Sequence, residues 1–315
     1  MRFGIMFANT GPAADPDAAI AFARSAEAAG FESLWTVEHV VVPAGYQSQY
    51  PYDRSGRMPG SDDSPIPDPL VWLAFLAAAT TTLTLATGVL ILPQRNPVVL
   101  AKELATLDHL AKGRVVLGVG VGWLAEEFEA IGVPFSERAA RTDDAIGALR
   151  VLWGEDHASY DGAYTTFRDC IVRPRPVRGA IPVHVGGHSP AAARRAGRLG
   201  DGFFPAVGGH RRLAGLFDEA RRTAAETGRD PAALELTTGG NGVLGPGALD
   251  EVATLAGMGV SRVVVPAFAF WNDPESLARY GEEVIAPAGA IAPEAPGGAA
   301  PGGAASAGSD QAGKD

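Results

Sequence analysis

Two short stretches of this 315-residue chain carry side chains or bare backbone suited to chemistry. Glu38-His39 sets a carboxylate beside an imidazole. The first can accept or position a proton, and the second can donate one near neutral pH. Gly186-Gly187-His188-Ser189-Pro190 suits an anion: two glycines let the backbone curl, Ser189 can cap a helix, and Pro190 fits its first turn. The N–H groups and dipole at such a helix start favour phosphate. An ordinary capped glycine turn is the plainer alternative, but Gly-Gly is more than a cap needs. Arg194, Arg195 and Arg198 follow, and either add attraction or are simply solvated.

A third stretch, Gly118-Val-Gly120-Val-Gly122-Trp123, has the outline of a dinucleotide fingerprint, yet Trp123 stands where G-x-G-x-x-G needs glycine. It either brings main chain against a flat ligand, with Trp123 as a wall, or relieves crowding inside a barrel. The histidines (His39, His109, His157, His184, His188, His210) form no HExxH, and His184 and His188 straddle Gly-Gly instead of sharing a helix face, so no metal is expected. Ser189 lies in no G-x-S-x-G elbow. Cys170 stands alone, which excludes a disulfide framework and fits a reducing compartment.

The elements that must position these residues read as a repeated strand and helix. Runs 83–92 and 114–120 are too continuously apolar to be half-exposed, so both are expected as buried parallel strands with a helix between them. Gly88, Gly118, Gly120 and Gly122 fall at their C-terminal ends, where an α/β protein brings backbone close to a ligand. Further strands are expected at 2–8, 31–37, 181–185, 202–206, 234–238 and 261–267. Helices are expected from Asp15-Pro16 to Gly30, from Asp68-Pro69, and at 124–131, 136–153, 191–199, 210–227, 248–258 and 274–285. This alternation predicts an α/β fold, a (β/α)8 TIM barrel with insertions after strands two and four. The first insertion, 42–67, is long and tyrosine-bearing, which favours a lid; the second, 159–177, reads as a hairpin turning at Asp161-Gly162. From residue 286 the chain is Ala, Gly, Pro and Ser without periodicity, so the expected division is a barrel over 1–287 and a disordered tail over 288–315.

Lys+Arg 26 against Asp+Glu 36 gives a net charge of −10, which argues against a nucleic-acid partner. Residues 70–92 carry no charge and are long enough for a bilayer, but their threonines and change of period point to a buried helix followed by a strand. No secretory signal is visible at the start. A soluble cytoplasmic protein with no membrane partner is expected.

Taken together, FESLWTVEH, the long segment TLATGVLILPQRNPVVLAKELATLDHLAKGRVVLGVGVGWLAEEFEAIGVPFSERAARTDD, the hairpin with IVRPRPV, and IPVHVGGHSPAAARRAGRLGDGF resemble the luciferase-like monooxygenase superfamily. The likeness is to its coenzyme F420-dependent oxidoreductases of actinobacterial type, and it runs from Met1 to Pro287. It implies a flavin or deazaflavin at the C-terminal mouth of the barrel, with a non-proline cis peptide at Gly88-Val89 supporting the central ring. Gly120 and Val121 match the ring and side-chain positions, and Gly186, Gly187, His188 and Ser189 the phosphate loop. His39 matches a proton donor, Glu38 its orienting carboxylate, in place of the usual aspartate. Trp123, with the 42–67 loop, matches the substrate wall, where sugar-phosphate dehydrogenases of the family carry a glutamate. The implied activity is hydride transfer between coenzyme F420 and a small organic substrate, in a homodimer. The alternatives are an FMN-dependent monooxygenase using oxygen, and a flavin-binding protein without turnover.

Overall fold

The computed structural model describes residues 1–205, 208–273 and 275–293. β1 (Arg2–Met6) leads to α1 (Pro16–Ala28), whose start is fixed by Asp15: its carboxylate accepts from the N–H groups of Asp17 and Ala18, with Pro16 in the first turn. After β2 (Ser33–Thr36), α2 (Pro69–Ala77) and α3 (Pro97–Leu110) use the same device, capped by Asp68 and Asn96. Between these helices lie β3 (Thr84–Thr87) and β4 (Leu90–Ile91). β5 (Val115–Gly120) precedes α4 (Ala125–Ala130) and α5 (Arg138–Gly154). The hairpin β6 (Ala158–Asp161) and β7 (Thr166–Cys170) follows. The remaining units are β8 (Val183–Gly186) with α6 (Pro190–Leu199), β9 (Gly202–Phe204) with α7 (His210–Glu226), β10 (Glu235–Gly239) with α8 (Ala248–Gly257), and β11 (Arg262–Pro266) with α9 (Ser276–Tyr280) and α10 (Ala286–Ala288).

Parallel pairing runs β3-β2-β1-β11-β10-β9-β8-β5-β4, and β3 pairs with β5 as well, which closes the ring. With β3 and β4 as two pieces of one wall position, this is the (β/α)8 barrel that the alternation predicts. The run 83–92 is not one strand: it breaks at Gly88-Val89, whose peptide bond is cis, and ends in a 3-10 turn at Leu92–Gln94. The last helix is also broken up, with a π-helical turn at Gly281–Ile285 between α9 and α10. Ala206 of the expected sixth strand, Pro274, and the tail from residue 294 lie outside the described residues. Among the described residues no helix is long and apolar enough to cross a membrane.

Side chains alternate across each strand. Val115, Leu117 and Val119 of β5 join the large core under the helices, whereas Val116 joins Trp35, Ala86, Phe204 and Val264 in a second cluster inside the ring. The N-terminal end of that interior is filled by Arg262, 2% exposed, which pairs with Glu32 and Glu235 and lies over the Trp35 ring. His184 also packs on Trp35, at 5.8 Å between ring centroids. Its pKa is lowered to about 4, chiefly by burial, so the imidazole is neutral. A filled interior leaves the strand ends at the C-terminal mouth as the place for a ligand.

Candidate functional site

The strand-end glycines form a single wall. Val89 reaches between two of them: a Cβ on Gly120 would come within 2.5 Å of Val89 Cγ2, and one on Gly186 within 2.6 Å of Val89 Cγ1. Side chains at either position would displace Val89, so Val89 packs directly on Gly120 and Gly186, with Gly88 before it and the half-buried Val121 next to Gly120. Gly118 serves a different need, since a Cβ there would strike the Thr87 carbonyl inside the barrel. Crowding thus accounts for both glycines, by main chain at Gly118 and by the Val89 side chain at Gly120.

Gly187 has φ +128°, a conformation open to glycine, and its N–H donates to the Phe204 carbonyl at 3.3 Å. Ser189 caps α6 by accepting from the Ala192 N–H at 3.2 Å. From α7, Arg212 donates to the His188 carbonyl at 2.8 Å. Burial first, then the Arg212 charge, lowers the His188 imidazole to about 4. The three arginines of α6 do not serve this loop: Arg195 and Arg198 pair with Asp143, and Arg194 with Glu219.

Glu38 and His39 do not face each other. Adjacent residues on extended chain point to opposite sides. Glu38, buried, bonds to Arg95 and accepts from the Ile91 N–H at 2.5 Å; Arg95 also pairs with Asp68, the cap of α2, at 2.9 Å. Burial raises the Glu38 carboxyl above its ordinary value, outweighing Arg95 and the backbone donor. The expected role of Glu38 as the carboxylate orienting His39 is therefore corrected. The carboxylate at His39 is Glu127 of α4, fully buried, with Oε2 3.1 Å from Nδ1 and Oε1 accepting from the Val40 N–H at 2.6 Å.

Asn9 fastens both ends of the 42–67 insertion, donating to the carbonyls of Val37 and Pro67 at 2.9 Å each. Glu126 fastens its first part, accepting from the N–H groups of Gln47 and Ser48 and the Ser48 hydroxyl; these bonds hold its carboxyl down at about 2. The insertion thus brings its tyrosines to the wall. Trp123 meets His39, Tyr46 and Tyr50 edge-on, with centroids 5.7, 5.5 and 5.2 Å away. Tyr52 stands 5.2 Å from Tyr50 and 4.7 Å from His188. A line of rings therefore runs from His39 to the Gly-Gly loop. Motif reading does not single out Glu126, Glu127, Arg95 or the three tyrosines, and the acidic pair Glu126-Glu127, which begins three residues after Trp123, looks like any solvated helix start. No cluster of metal-ligating side chains occurs among the described residues.

A family model described as luciferase-like monooxygenase matches residues 1–281. An uncharacterized protein of Mycobacterium tuberculosis is 36% identical over 186 residues, which span 59% of this chain and 65% of that one. An F420-dependent glucose-6-phosphate dehydrogenase of Beutenbergia cavernae is 35% identical over 223 residues, 69% of this chain and 61% of its own length. The chain thus matches under two thirds of the length of both relatives. A solved F420-dependent secondary alcohol dehydrogenase, in complex with an F420-acetone adduct, shares the fold at a TM-score of 0.72 and 18% identity, covering 90% of this chain and 98% of that one. With a family model spanning nearly the whole barrel, the chain belongs to the luciferase-like monooxygenase family.

Proposed function

We propose that the protein is an oxidoreductase that moves a hydride between coenzyme F420 and a small organic substrate. The observation that carries this reading is the convergence of Val89 with Gly120 and Gly186 at the strand ends, packed so closely that neither glycine has room for a side chain. Its residues fit a planar ring, and the Gly187–Ser189 loop at the start of α6 fits an anionic arm. Bound there, the deazaflavin would supply the hydride chemistry. The chain supplies the proton: Glu127 holds Nδ1 of His39, which leaves Nε2 to exchange a proton with substrate, and its charge balances the imidazolium. The insertion covers the mouth and limits water. Relatives bearing F420-dependent names favour the deazaflavin over FMN.

His39→Ala should bind F420 as the wild type does and lose turnover of reduced F420 across a panel of carbonyl compounds; undiminished turnover would remove His39 from the reaction. The homodimer expectation draws support from apolar side chains left exposed on neighbouring helices, Val71 and Phe75 on α2, Val99 and Leu110 on α3. Sedimentation equilibrium at micromolar protein tests it.

A further inference from the structure

We propose that the rings the insertion brings to Trp123 and His188 take a flat, uncharged, conjugated substrate, of which an aromatic carbonyl compound is the simplest class. The inference rests on the deazaflavin reading above, because it concerns what lies against that ring. Trp123, Tyr46, Tyr50 and Tyr52 line the path from His39 to His188, with interplanar angles of 73° to 86° among them. Such a set offers ring faces and edges, which a planar π-system can contact along its whole length. The Tyr50 phenol is pushed up to about 12, mainly by burial, and stays uncharged.

Three of the cations near the cluster have partners. Arg57 donates to the Tyr46 carbonyl at 2.9 Å and sits 4.7 Å from the Tyr46 ring centroid. Arg95 is committed to Glu38 and Asp68, and Arg212 to the His188 carbonyl. A phosphorylated substrate would compete with these partners for its charge-assisted donors, whereas an uncharged one needs none. In the reaction the carbonyl carbon gains a hydride from reduced coenzyme F420, its oxygen takes a proton from His39, and an alcohol leaves as the coenzyme is oxidised by two electrons.

The purified full chain is tested with 2-naphthaldehyde, cyclohexanecarboxaldehyde and glucose 6-phosphate. Quenching of tryptophan fluorescence reads binding without coenzyme, and KM is measured with reduced F420. The naphthaldehyde should bind at least about tenfold tighter than the cyclohexane compound. Tyr50→Ala should erase that preference while F420 affinity stays within about twofold. Turnover of glucose 6-phosphate in preference to the naphthaldehyde, or a preference unaltered in Tyr50→Ala, would overturn the inference. Failure to bind F420 would instead sink the deazaflavin reading. Naphthaldehyde quenching that Tyr50→Ala removes would then still support the aromatic slot, and no quenching would refute it.

Discussion

Glu127 and His39, 88 residues apart in sequence, meet with Oε2 3.1 Å from Nδ1 inside a pocket that leaves the Glu127 side chain fully buried. The imidazole is thereby held in one orientation by α4, an element that sequence adjacency gave no reason to link with it. Glu127→Ala should lower kcat by about 100-fold, the order expected when a general acid is misplaced. It should also lower stability by about 1–3 kcal/mol, since the Val40 N–H loses its acceptor. Glu127→Gln should recover most of the stability and little of the rate. Equal recovery of both would make Glu127 a purely structural residue.

The position of Val89 between two glycines gives a paired test. Gly120→Ala should push Val89 from its place and weaken F420 binding at least about tenfold. Adding Val89→Ala makes room for the new methyl, so the double variant should regain part of that affinity. Fluorescence titration of the three variants decides; additive losses would mean that the two residues do not share one wall.

Arg95 is the counter-charge of a buried carboxylate. Arg95→Met should cost about 3–5 kcal/mol, because Glu38 is left without its partner. Combining it with Glu38→Gln should cost less than the single change. Urea unfolding measures both, and an unaltered midpoint for Arg95→Met would show that the pair contributes little.

His184 and His188 both have folded pKa values lowered to about 4, below the ordinary value of 6.5. The unfolded chain therefore takes up protons first as pH falls, and the contribution present above pH 6.5 is lost progressively down to about pH 4. The urea midpoint should drop between about pH 7 and pH 5, and His184→Asn should shrink that drop. The same drop in the variant would clear His184 of responsibility.

The barrel was legible because buried parallel strands and capped helices leave strong local marks: continuous apolar runs, and Asp or Asn before proline at Asp15, Asp68 and Asn96. The glycine positions were legible for a related reason, since a strand end without side chains is conspicuous. Glu127 was not, because an acidic residue in a helix's first turn looks the same whether it is solvated or buried against an imidazole. The assignment of Glu38 to His39 could have been resisted from sequence alone, given that neighbours on extended chain diverge. The tyrosines of the insertion follow no period, so only the folded loop shows that they meet Trp123 and His188.

The most direct measurement is a fluorescence titration of the purified full chain with oxidised coenzyme F420, beside FMN and beside the Gly187→Asp variant. Saturable binding of F420, preferred over FMN and weakened at least about tenfold by the aspartate, is expected of a glycine wall with its anion loop at the start of α6. No saturable binding of F420, or the same affinity in Gly187→Asp, would contradict it.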